Sequence, residues 1–167
     1  MAELTTTERL QPSLLDRLTD DEPLRGSESR EQRVISPSRL RECVTRDLSW
    51  LLNCVQMASD AALADYPDVA SSVINFGIPD LTGTQLAGIN VNQLQQRLRT
   101  AILAYEPRLI ANTLQVVVRA QQSNMDRKSL VFDIRSDMWA QPIPLALYLK
   151  TEVDLETGKL DLVEGYA

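Results

Sequence analysis

Glu106-Pro107-Arg108 holds two opposite charges one residue apart around a proline. Pro107 cannot continue a helix, so the flanking side chains sit on a stiff corner. A carboxylate and a guanidinium so placed suit bidentate recognition, of each other or of charges on a second protein. One reading is an ordinary ion pair within the chain at a helix end. The other is a docking corner. As an acid, Glu106 could also be paired with Asp80 or Asp133 for glycoside hydrolysis, which needs two carboxyl groups about 5–10 Å apart, one of them held protonated. Arg108 works against that, because a nearby cation favours the ionised carboxylate. Trp50 and Trp139, the residues able to stack on sugar, have no acidic motif beside them.

Other chemistries are excluded by what the chain lacks. It has no His, which removes Ser-His-Asp and Cys-His catalysis, histidine metal ligation and the commonest general base. No Walker loop, GxGxxG or CxxC occurs. Cys43 and Cys54, the only cysteines, are eleven residues apart. On one helix that is roughly 16 Å, too far for a disulfide, so both are expected reduced and buried. No cofactor is implied.

A second candidate contact is Ser13-Leu14-Leu15-Asp16-Arg17-Leu18. With Ser13 as N-cap, Leu14, Leu15 and Leu18 share a narrow apolar face over one or two turns. So short a piece is unstable alone. It either packs on its own domain or orders in a partner's groove.

The elements that would position these residues follow from periodicity. Ser36 and Pro37 start a helix with an apolar stripe of Leu40, Cys43, Val44, Leu48, Leu51, Leu52 and Val55, flanked by Trp50. Residues 69–81 read as a brief helix or irregular segment and a turn. Asn92 is placed as the cap of a second helix carrying Leu94, Leu98, Ala101, Ile102 and Tyr105, ending about Glu106 because a residue before proline avoids helical geometry. The period then changes to two. Leu114, Val116 and Val118 pair with Leu130, Phe132 and Ile134 as a hairpin with one core face, joined by a polar turn over 121–128. Pro142 and Pro144 hold an extended, edge-like piece. Strands over 145–155 and 160–162 flank a turn at Glu156-Thr157-Gly158-Lys159. The expected fold is α+β, two main helices on one face of a small, mainly antiparallel sheet.

Composition is consistent with that picture. The chain has 167 residues with 44% hydrophobic and only 5% aromatic content, so one aliphatic core is expected. The net charge of −6 is concentrated at the ends: residues 1–35 hold five Arg against eight acids, and 152–167 one Lys against five acids. With no basic stripe, nucleic-acid binding is not expected. Residues 1–35 read as a mobile segment carrying the docking peptide 13–18, and 36–167 as a single domain. Without an apolar signal region or a run of about 20 apolar residues, a cytoplasmic location is expected.

Four blocks together carry a family resemblance: 13–18; Val44-Thr45-Arg46-Asp47-Leu48-Ser49-Trp50-Leu51-Leu52-Asn53; 72–83, from Ser72 to Gly83; and Tyr105-Glu106-Pro107-Arg108-Leu109. In this order and spacing the chain resembles the TssE family, small baseplate subunits of type VI secretion systems related to phage-tail wedge proteins often labelled lysozyme-like. Phe76 stands where that family often has Tyr. The resemblance covers roughly residues 13–155. It implies a structural, non-enzymatic subunit of a six-fold contractile injection baseplate at the inner face of the cytoplasmic membrane. The implied partners are the other wedge subunits and the sheath protein. Glu106, Pro107 and Arg108 would meet the wedge's helical bundle, and edge strands would template sheath attachment. The alternatives are a carboxylate-dependent glycosidase and a transient adaptor. On the docking reading, Arg108→Glu is expected to fold normally and lose its partners.

Overall fold

The computed structural model describes residues 13–19, 23–24, 26, 35–58, 62–82, 89–122, 128–140, 144–155 and 157–165. Ser36 accepts a hydrogen bond from the Arg39 amide at 3.2 Å and Pro37 occupies the first turn, starting the long helix Pro37–Asn53 (α2), which follows a short helix Leu14–Leu18 (α1). Leu40, Cys43, Val44, Leu48, Leu51 and Leu52 of α2 are all buried, as their three-and-four spacing requires. After Pro67–Ala70 (α3) and a 3-10 turn at Val73–Asn75, the second long helix runs Val91–Tyr105 (α4) and buries Leu94, Leu98 and Ile102. Its cap is Asn90, which accepts from the Gln93 amide at 3.0 Å, not Asn92, which lies inside the first turn. Both are asparagines, and the choice is set by where the chain leaves extended geometry.

Four strands follow: Gln115–Gln122 (β1), Lys128–Met138 (β2), Leu145–Asp154 (β3) and Leu160–Glu164 (β4). They form one antiparallel sheet in sequence order, so β1 and β4 are its edges. The α+β class expected from the period change is the fold observed, with the inner face of the sheet and the buried stripes of α2 and α4 sharing one core. The β1–β2 strands run farther than the turn expected over 121–128 allows: pairing reaches Gln122 opposite Lys128, and 123–127 lie outside the described residues, as do 141–143 of the Pro142 piece. Nor is the hairpin buried on one face only. Val131 and Asp133, on the outer face of central β2, are also buried. Asp133 is covered by Arg119 from β1 and accepts from the Tyr148 hydroxyl of β3, so long neighbouring side chains close over it.

Two devices fix the C-terminal end of α2, one to the sheet and one to the segment around Ile78. The Asn53 amide at the end of α2 donates to the Leu160 carbonyl (2.9 Å) and accepts from the Leu160 amide (3.1 Å). Gly77 has φ of +134°, and a Cβ there would lie 2.6 Å from the Cys54 carbonyl oxygen. Only glycine lets Ile78 bond to Cys54 and Gln56 to Ile78 at this crossing. Cys54 is exposed at the end of α2, unlike Cys43, because the helix stops there and its stripe does not extend to it. No helix among the described residues is long and apolar enough to cross a membrane.

Candidate partner-docking site

Glu106 terminates α4. Its backbone (φ −123°, ψ 79°) has left the helical region that the following proline disfavours, and its amide still bonds to the Ile102 carbonyl at 2.8 Å. Beyond Pro107 the chain is clamped to the end of β2: the Trp139 amide donates to the Arg108 carbonyl (2.7 Å) and the Ile110 amide to that of Asp137 (2.8 Å). The corner is therefore fixed on both sides, by a helix end and by a strand end.

Its side chains are locked as well. Glu106 is buried, and its Oε1 accepts from the Arg108 amide (3.1 Å) and from Nε (2.7 Å), while Oε2 accepts from Nη2 at 2.5 Å. The same Nη2 reaches Asp47 on α2 at 2.5 Å. Asp47 in turn accepts from Arg46, whose guanidinium lies 5.0 Å over the Trp50 ring. Burial opposes the charge on Arg108, but Glu106 and then Asp47 outweigh it and raise the guanidinium's pKa.

The N-terminal peptide joins this network. Ser13 caps α1 as expected, and Asp16, the residue of α1 with its side chain almost wholly covered, lies 2.8 Å from Arg46 and 4.0 Å from Arg108. Burial would raise the Asp16 pKa. The Ser13 hydroxyl, then Arg46 and the Cys43 thiol, overcome that and bring it down to about 2. The same proximity, after burial, pushes the Cys43 thiol up.

Next to the corner is a cavity of about 470 Å³, lined by Leu15, Leu48, Trp50, Phe76, Tyr105 and Pro107 among others. Tyr105 donates to the Ser72 carbonyl and meets Phe76 edge-on at 5.1 Å, which fixes the far wall. Neither Asp80 nor Asp133 lines it; Asp80 instead accepts from the Thr82 amide within its own turn. The chemistry available is electrostatic and apolar recognition, with both nearest carboxylates already held by Arg108.

A family model of baseplate wedge protein gp25 matches residues 38–143, and that span contains Arg46, Asp47, Glu106 and Arg108. The chain belongs to the baseplate wedge protein gp25 family. No curated protein and no solved structure matches it. Membership of a wedge family that includes TssE makes this a structural baseplate component that assembles with other baseplate parts.

Within that family frame, Glu106, Pro107, Arg108 and Asp16 come together, and Leu15 reaches the cavity wall. Leu14, Arg17 and Leu18 point away and are exposed. Arg46 and Asp47 escape a reading based on the corner alone, because they sit 60 residues away in sequence on α2. The available signal was a charged pair set between Val44 and Leu48 in an otherwise apolar stripe.

Proposed function

We propose that this gp25-family chain is a non-catalytic wedge subunit of a type VI secretion baseplate, joining the wedge to the contractile sheath. The observation that carries the reading is the family match across the Glu106-Pro107-Arg108 corner, where a rigid charged turn borders an open apolar cavity. Other wedge subunits dock at that corner, with Leu14, Leu15, Asp16, Arg17 and Leu18 as a second contact. The sheath protein adds to an exposed sheet edge, β1 or β4, by main-chain pairing. In the cell the subunit works on the cytoplasmic side, in a six-fold baseplate against the inner membrane.

Co-purification of tagged protein from the native host tests this. Stoichiometric wedge subunits and sheath protein are expected, and recovery of the chain alone would count against the reading. Leu15→Gln makes the surface polar without adding a charge beside the ion-pair network, and is expected to reduce recovery of wedge partners sharply while leaving the melting curve nearly unchanged.

A further inference from the structure

α1 buries none of its residues fully, and two of its three leucines face outward: Leu14 and Leu18 are 71% and 74% exposed. What α1 inserts into the rest of the protein is the Asp16 carboxylate, 6% exposed, together with its capping Ser13. The seat that receives it is better suited to a carboxylate than Asp16 exploits. Nη1 of Arg108 is buried and makes no hydrogen bond, its nearest Asp16 oxygen being 4.0 Å away. Arg46 Nη2 is 2.8 Å from Asp16 Oδ1, yet both atoms lack a properly aligned hydrogen bond. Five residues of helix contribute little stability of their own. The cavity beside the seat is touched by Leu15 but remains open.

We propose that the Arg46–Arg108 pair is an exchangeable carboxylate seat. Asp16 fills it in the free chain, and an acidic side chain of a partner segment fills it on assembly, placing a bulky apolar neighbour in the adjoining cavity. This rests on the docking role of the corner proposed above and specifies the chemistry of the partner. The exchange trades one carboxylate for another, so the local charge of three acids and two guanidiniums is unchanged. A tethered Asp16 competes at an effective concentration on the order of millimolar. The incoming group prevails by making the aligned bonds to Arg108 Nη1 that Asp16 does not make. Once displaced, α1 frees Leu15 from the cavity wall alongside the already exposed Leu14 and Leu18, so docking at the corner and release of the peptide become one event.

The test uses the full chain, wild type and Asp16→Asn, each labelled for observation of the arginine Nε–H resonances. The probe is a blocked synthetic peptide copying residues 11–20, with a control peptide in which the aspartate equivalent to Asp16 is asparagine. The acidic peptide is expected to shift the Arg46 and Arg108 resonances and to bind Asp16→Asn at least tenfold more tightly than wild type. The control peptide is expected to bind at least tenfold more weakly than the acidic one. Asp16→Ala provides a second open-seat variant, should the asparagine amide itself remain in place. Equal affinity for wild type and both variants, equal binding of the two peptides, or no binding to either variant at millimolar peptide would each overturn the proposal. No baseplate component enters the measurement, so its failure leaves the wedge reading standing, and failed co-purification removes the wedge partner but not the seat's capacity to exchange carboxylates.

Discussion

At the corner, Arg108, Arg46, Asp47 and Asp16 each answer to more than one partner, and this changes what substitution there should do. Arg108 is not simply an exposed half of a pair with Glu106; it also holds Asp47, and Glu106 beneath it is buried. Arg108→Glu, expected from the sequence to fold normally, should instead destabilise the fold, because it leaves two carboxylates unneutralised and adds a third. Losing one member of such a buried pair costs about 3–5 kcal/mol, which urea denaturation will resolve. Asp16 gives a distinct pH signature. Its folded pKa of about 2 lies below the ordinary aspartate value, so its contribution is complete above about pH 4 and is lost as pH falls toward 2. Emission from Trp50, under Arg46, in a Trp139→Phe background should follow the release of α1 across that window, and Asp16→Asn should abolish the change. The corner's stiffness was legible from Pro107 alone. The extent of its network was not, since pairing across 61 residues leaves no local pattern.

The secondary elements were the most readable level, and their errors share a cause. Helix stripes and strand alternation report which side chains face a core, so α2, α4 and the four strands follow from them. They do not report whether Asn90 or Asn92 begins a helix, or that a central strand's outer face is closed by Arg119 and Tyr148. Nor do they show the crossing at Gly77. There Gly77→Ala is expected to lower stability by more than the about 1 kcal/mol that the same change gains at a compatible position, because the added Cβ meets backbone that cannot move aside. A thermal melt compared with Gly26→Ala, whose Cβ would meet nothing within 4 Å, isolates the effect.

For the molecule as a whole, function lies in what the domain offers to neighbours. α1 contributes no fully buried residue, so a chain beginning just before Ile35, itself in the core, should lose what the Asp16 contacts supply and keep nearly its full thermal midpoint. It should nevertheless fail to co-purify with wedge partners. A sharp fall in the midpoint would instead make α1 part of the domain's own stability. Catalysis is not expected of the assembled fold. Turbidity of a peptidoglycan suspension should stay constant with purified protein, and a decline abolished by Glu106→Gln would reverse the structural reading.

The Asn53 side chain has a consequence for the strand addition proposed at β4. A carboxamide carries the same donor and acceptor as a peptide group, and here it occupies both hydrogen-bonding positions of Leu160 on the side away from β3. It acts as a one-residue stub of a fifth strand, made from the end of a helix. A strand arriving along β4 meets that stub as a stop and must take its register from beyond Leu160, toward Leu162 and Glu164. Register in a sheet decides which side chains face inward. A single amide on a helix would thus set the phase of any strand added along β4, and Asn53→Leu would free one more rung and let that phase slip.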